Sequence, residues 1–256
     1  MRRPFFSRFL RRILIIVGAL LVLMIAYGGY AAATLPDVSA LSRTNPKTTA
    51  LMEQRAAERK TQVRPIRTWV SYNRISPHLR NAVLVAEDGS FFQHEGVDFH
   101  EIKEAIKKDW EEGRFARGAS TITQQLAKNL YLSTSKSPLR KFQELLIARQ
   151  LEKHLSKQRI FEIYLNVIEW GDGVYGVGPA SQRYFGKHPG ELRPEEAAVL
   201  AGMIPSPRSY SPARGVTSYL AKRKAELLRR MLRYKYLNQD QFEDAMKRSV
   251  AFQTAP

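Results

Sequence analysis

The chain has 256 residues, 44% of them hydrophobic, which is enough apolar material for a core and excludes gross disorder. It has no cysteine, so disulfides, thiolate metal sites and a thiol nucleophile are excluded. The formal net charge of +17 leaves three kinds of partner open: a nucleic acid, an anionic membrane surface or a phosphate-bearing substrate. A solvated basic surface with no specific partner is the plain alternative.

The N-terminus narrows that choice. Arg2, Arg3, Arg8, Arg11 and Arg12 crowd the first twelve residues, and an uncharged apolar run fills residues 13–35. A run of that length can cross a bilayer as a helix. The arginines ahead of it belong on the cytoplasmic side. The small residues Ala31 to Thr34 would suit a cleaved signal peptide. The run, however, exceeds the roughly 7–15 apolar residues of a signal sequence. We read an uncleaved single-pass anchor in the cytoplasmic (inner) membrane, with the rest of the chain on the periplasmic or extracellular side. That topology argues against a nucleic acid. The expected organisation is a basic cytoplasmic tail (1–12), a transmembrane anchor (13–35), a polar connector without period (36–62) and one mainly α-helical domain (63–256).

Within that domain "RTWVSY", residues 67–72, has the composition of a short strand. The remainder reads as successive helices. "SPHLRNAVLVAED" opens with Ser76 as N-cap and Pro77 at the first helical position. Phe99, Ile102 and Ile106 follow at helical spacing, and "TITQQLAKNLYL", "SPLRKFQELLIARQLEKHL" and "KQRIFEIYLNVI" come next. After a glycine-rich turn, "RPEEAAVLAGMI" and "SYLAKRKAELLRRMLRYKY" finish the main body.

Three places carry chemistry. Glu87 and Asp88 end an apolar helix, where the helix dipole disfavours acids. Desolvation by Val83, Leu84 and Val85 would raise the basicity of Glu87, which suits a general base. His94 and Glu95 lack metal-ligand spacing, so a structural His94, bonded to nearby backbone or carboxylate, is expected. Second, Thr121 and Gln124 fit a capping box. Ile122, Leu126 and Leu130 would face the core, with Gln124, Gln125 and Lys128 opposite them. The small residues before this helix leave free N–H groups at its start, and with Lys128 they could hold an anion. Third, Glu144 falls on a helical wheel in line with Ala148, Leu151 and Leu155. Arg140 and Lys141 lie one turn earlier to compensate a buried carboxylate. The later half of that helix is apolar almost all round, which marks a central helix.

Two matches are set aside. "GDGVYG" fits G-x-G-x-x-G but lacks the strand and βαβ unit of a dinucleotide site. "STSK" fits S-x-x-K without the partner motifs of a transpeptidase.

Together these motifs resemble one family, the monofunctional, membrane-anchored peptidoglycan glycosyltransferases. Its E-D-x-x-F-x-x-H-x-G motif reads here as Glu87, Asp88, Phe91, His94 and Gly96. G-x-S-T-I-T-Q-Q reads as Gly118 and Ser120 through Gln125, and R-K-x-x-E as Arg140, Lys141 and Glu144. The last motif reads as Tyr164, Leu165, Asn166, Gly171, Gly176, Ala180, Tyr184 and Phe185. The motifs occur in family order over roughly residues 67–235; Arg223 fits a looser final one.

The resemblance implies a lysozyme-like helical fold with a small membrane-proximal lobe. It also implies polymerisation of lipid II into β-1,4 glycan with release of undecaprenyl diphosphate and inversion at the anomeric carbon. Glu87 and Glu144 become the candidate catalytic residues. Asp88, Phe91, Ser120, Gln124, Gln125, Lys128, Arg140, Lys141 and Asn166 become the candidate substrate-binding ones. No cofactor is strictly required, and a divalent cation, Mg2+ or Mn2+, could sit at the diphosphate. Expected partners are lipid II and the growing glycan, the bilayer, and penicillin-binding transpeptidases with other wall-synthesis proteins. The stretch 111–120, with a glycine near each end, is expected to be a flap over the cleft. Two alternatives remain: a lysozyme-like peptidoglycan-cleaving enzyme (a lytic transglycosylase), and a non-enzymatic tethered protein that binds wall polymer or lipid.

Overall fold

The computed structural model describes residues 3–112, 120–135, 137–210 and 215–253. The expected flap lies almost wholly outside the described residues. The chain forms two units, Met1–Asp37 and Val38–Pro256. The first is a single helix, α1 (Arg3–Ala33). Its stretch Leu10–Ala33 is long and apolar enough to cross a membrane by length and composition. At about 1.5 Å per residue it exceeds the ~30 Å hydrocarbon core.

The second unit begins earlier than the sequence suggests. Residues 36–62 show no clear period, yet Ala50–Glu58 form helix α2, capped by Thr49 Oγ1 on the Met52 amide. Leu51, Met52 and Ala56 are buried, and α2 packs on α5. The helices follow as α3 (Pro77–Glu87), α4 (Phe99–Glu112), α5 (Ile122–Tyr131), α6 (Pro138–His154) and α7 (Lys157–Val167). A two-stranded hairpin of β1 (Glu169–Gly171) and β2 (Val174–Tyr175) comes next, then α8 (Val177–Phe185), α9 (Pro194–Met203), α10 (Ser218–Arg233) and α11 (Gln239–Lys247). Ser76 caps α3 ahead of Pro77 as expected, and Ser137, Ser156 and Thr217 cap α6, α7 and α10 in the same way.

Two packed groups make the core. α9 lies against α3 and α10; α5 lies against α6 and α7. The helix buried all round is α9, from Glu195 to Met203. α6 instead buries one stripe, Glu144, Ile147, Ala148 and Leu151. This corrects the expectation that α6 is the central helix: Leu145 and Leu146 are only half-buried, and Leu139 and Phe142 are exposed. Phe99, the first residue of α4, is 78% exposed.

Residues 67–72 form no strand. The backbone N–H of Val70 donates to Asn166 Oδ1 at 2.9 Å, and Val70 C=O accepts from Asn166 Nδ2 at 2.8 Å. One buried amide side chain supplies the pairing that a neighbouring strand would have given. "GDGVYG" builds the turn of the hairpin, with Gly173 and Gly176 at positive φ. A Cβ on Gly176 would meet the Asn166 carbonyl oxygen at 2.7 Å.

Candidate active site

Glu87 is the last residue of α3, and its half-buried carboxylate points at α5. Gln125 Nε2 donates to Glu87 Oε2 at 2.9 Å. The other end of that amide, Oε1, accepts from the Tyr164 hydroxyl at 2.9 Å. Tyr164 is fully buried on α7, and burial holds its hydroxyl well above the usual phenol range, so it remains a donor. A donor at one end fixes the amide with its NH2 toward Glu87. Helices α7, α5 and α3 thus set the position of one carboxylate. Burial raises the Glu87 pKa above the ordinary glutamate value. The Gln125 hydrogen bond and the fields of Arg223 and Lys128 pull it back in part, and Asp88 pushes it up.

Asp88 turns the other way. Its Oδ2 accepts the Ile122 amide at 2.9 Å, and both its oxygens accept from His94 Nε2 at 3.1 Å. His94 Nδ1 accepts the Gly96 amide at 3.1 Å, which fixes the ring with its proton on Nε2. Thr121 Oγ1 donates to the Gly96 carbonyl at 2.7 Å and accepts the Gln124 amide at 3.2 Å. An acid disfavoured at the end of α3 is therefore favoured at the start of α5. Only half of the expected capping box forms, because the Gln124 side chain turns to Lys141 instead of back to Thr121.

The third motif supplies the cations. Lys141 Nζ donates to Ser120 Oγ at 2.9 Å, to Gln124 Oε1 at 3.0 Å, and to Glu144 Oε1. That uses all three ammonium donors. Arg140 Nη1 holds the other oxygen of Glu144. Glu144 is 2% exposed, in line with the buried Ala148, Leu151 and Leu155, and both its oxygens are engaged. Lys128 is half-buried one turn past Gln124, and among the described residues its ammonium has no hydrogen-bond partner. Burial lowers its pKa below the usual lysine value. Glu144 and Glu87 raise it, while Arg140 and Lys141 lower it further. Lys128 thus feels both the lone carboxylate and the basic cluster.

Phe91 and Asn166 lie in the core. Phe91 packs on Phe161 with ring centroids 5.5 Å apart, and the Lys157 ammonium lies 4.4 Å over its ring. Asn166 spends its amide on Val70 and on the Glu162 carbonyl. Two residues without an assigned role in the sequence reading join the site. Tyr164 is one; a buried tyrosine demands a hydrogen-bond partner, but naming Gln125 required the packing of α7 on α5. Arg223 on α10 is the other. It pairs with Glu226, its Nε is buried without a partner among the described residues, and its stem lies against Gly202, where a Cβ would come within 3.0 Å.

The donor set fits a resident divalent ion poorly. Beside the basic cluster, both Glu144 oxygens are taken. Asp88, His94 and Asp98 bring ligand atoms within 4.8 Å of one another. Yet His94 Nε2 donates to Asp88, while Asp98 accepts from Ser90 and from the Glu101 amide. The charge at this site comes from Lys128, Arg140 and Lys141.

The described site thus holds one half-buried carboxylate, Glu87, on the same face of the fold as Lys128, and a buried carboxylate, Glu144, held by Arg140 and Lys141. The family model described as Transglycosylase matches residues 53–232, and the chain belongs to that family. It is 47% identical over 190 residues to the biosynthetic peptidoglycan transglycosylase of Nitrosospira multiformis, covering 73% of this chain and 82% of that one. It is 49% identical over 166 residues to the protein of the same name from Methylobacillus flagellatus, covering 65% and 72%. Among solved structures, penicillin-binding protein 1A from Haemophilus influenzae is 30% identical with a TM-score of 0.37, over 53% of this chain and 17% of its own.

Proposed function

We propose that this protein is a peptidoglycan glycosyltransferase that polymerises lipid II during cell-wall synthesis. The donor is a glycan chain linked to a lipid diphosphate, and the acceptor is the disaccharide of lipid II. Glu87 takes the proton from the acceptor 4-hydroxyl as its oxygen bonds to the donor anomeric carbon. The α-linked bond to the diphosphate breaks, and undecaprenyl diphosphate leaves with the electron pair. A β-1,4 bond results, with inversion. A base of this kind contributes about 10²–10⁴ in rate.

The observation that carries this reading is one half-buried, basic carboxylate bonded to Gln125 of α5, the helix that also carries Lys128 and, through Gln124, holds Lys141. A diphosphate is a weak base and departs without an acid; it needs cations instead. An ordinary glycosidase uses two carboxylates; a peptidoglycan-cleaving enzyme with one glutamate would have no use for the cations, because its substrate has no diphosphate there. Glu144 orders Arg140 and Lys141 rather than moving a proton, and Ser120 and Gln124 orient Lys141. Asp88, Phe91 and Asn166 hold the shape of the cleft. The apolar helix α1 is the membrane anchor, with the catalytic unit outside the cytoplasm, where the lipid-linked substrate is held at the bilayer. Penicillin-binding transpeptidases crosslink the product; a null result in membrane crosslinking with them would remove them as partners.

The test is incubation of the full chain with labelled lipid II in detergent. Long glycan that a muramidase digests is the expected product. No polymer, together with degradation of finished peptidoglycan, would make the protein a cleaving enzyme instead.

A further inference from the structure

A groove of about 1080 Å3 opens on the Val38–Pro256 unit, and none of the candidate site residues lines it. No aspartate or glutamate lines it either. Four arginines do: Arg64, Arg67 and Arg74 ahead of α3, and Arg183 on α8. Among the described residues the side chains of these four have no carboxylate partner and no hydrogen bond, and all four are exposed. Nearby arginines differ: Arg55 pairs with Glu58 and Glu169, and Arg59 with Asp172. Lys187, also on the rim, is neutralised by Glu196. Four unpaired like charges around one concavity repel one another, and an anionic ligand would relieve that repulsion.

The groove is not merely basic. Pro65, Ile66, Val70, Val174 and Pro179 give it an apolar floor. Its wall is backbone with free donors: the N–H groups of Arg67, Thr68 and Trp69 have no partner among the described residues. That wall is held in place. Val70 is tied to Asn166, and the Ile66 amide donates to the Lys47 carbonyl at 2.8 Å. The segment also lies so close to α8 that a Cβ on Gly178 would meet Thr68 Cγ2 at 2.9 Å.

We propose that this groove docks an extended acidic peptide segment of a partner protein, with carboxylates alternating with apolar side chains. The carboxylates pair with the arginine forks. The apolar side chains cover the floor, and the peptide carbonyls take the N–H groups of Arg67 and Trp69, which alternate with the side that Val70 turns to Asn166, as in strand addition. A phosphate-bearing lipid or polymer would satisfy the arginines and leave the apolar floor bare.

The test uses the full chain in detergent and a fluorescein-labelled eight-residue peptide of alternating Glu and Val, followed by anisotropy. Arg64→Glu, Arg67→Glu, Arg74→Glu and Arg183→Glu together should weaken binding by about tenfold or more. An equal charge change at exposed sites elsewhere, Lys103→Glu, Lys107→Glu, Lys222→Glu and Arg229→Glu, should alter it by about twofold or less. Replacing Val by Gly in the peptide should weaken binding by about fivefold or more. Should the quadruple groove variant fail to fold by circular dichroism, Arg67→Glu with Arg183→Glu carries the same comparison. The proposal is overturned if an alternating Lys and Val peptide binds as well, or if both sets of variants lose binding equally. It is also overturned if inorganic polyphosphate, or vesicles of equal parts phosphatidylglycerol and phosphatidylcholine, bind the groove more tightly than the peptide. Lipid II polymerisation is measured separately, so failure here leaves the proposed reaction untouched, and the reverse.

Discussion

Glu87 and Asp88 are adjacent in sequence and opposite in fate. Asp88 is drawn to the amide of Ile122 at the start of α5 and to His94, whereas Glu87 meets one amide NH2 and the field of Lys128. The desolvation that raises Glu87 also lowers Lys128, so the pH window for activity narrows from both sides. A base must be unprotonated, so kcat/KM should rise with pH through the raised Glu87 pKa, above the usual carboxylate range. It should fall as Lys128 loses its proton below the usual lysine range. Gln125→Ala removes a hydrogen bond that favours the charged carboxylate, so the acid limb should move to higher pH; an unmoved limb would detach Gln125 from the base. Glu144→Gln should lower kcat/KM by disordering Arg140 and Lys141 while the acid limb stays where it is. Disappearance of that limb would make Glu144 the base. The carboxylates and cations were legible in the sequence because charged residues stand out against apolar helices. The desolvated position of Glu87 and the ion pairs of Glu144 were legible too, but the groups that fix Glu87 and Asp88 were not, because Gln125, Tyr164 and Ile122 arrive from other elements.

Among the elements, helices with an N-cap and an apolar stripe were legible, and α3, α5, α6 and α7 follow their spacing. The failures share a cause: local pattern is blind to partners. Residues 67–72 have strand composition, yet their partner is the side chain of Asn166 rather than a strand. α2 has little period because one short face, Leu51, Met52 and Ala56, is all that it buries. The later half of α6 is apolar beyond its buried stripe, and composition cannot tell a half-covered leucine from a core one. Two stability predictions belong here. Thr121→Ala removes the α5 cap and its bond to Gly96, and should cost about 1–2 kcal/mol. Asn166→Ala leaves the Val70 amide and carbonyl without partners and should cost about 2–3 kcal/mol, several degrees in Tm. Thermal unfolding measures both, and an unchanged Tm for Asn166→Ala would remove its role as the pin of the 67–72 segment.

For the molecule as a whole, motif order carried the family relationship across most of the chain, and the apolar run marked a helix long and apolar enough to cross a membrane. The start of the compact unit was less visible, since residues 38–62 are polar along their length and join the core through few side chains. Because Val38–Pro256 is a compact unit by itself, removal of residues 1–37 should leave a folded protein that still polymerises lipid II in detergent and no longer sediments with membranes. Aggregation or loss of helical circular dichroism on that truncation would show that α1 is part of the fold. The high positive charge also falls in separate places: Lys128, Arg140 and Lys141 gather at the candidate site, and four arginines without a partner among the described residues ring a groove. Net charge alone does not show that these cations lie in two places.

The central claim is that Glu87 is the base of a glycosyl transfer. The most direct measurement is polymerisation of labelled lipid II by wild type and Glu87→Gln side by side, with matched circular dichroism. The account predicts long glycan from wild type and a loss of about 10²-fold or more in the variant. Equal polymer from both proteins would contradict it.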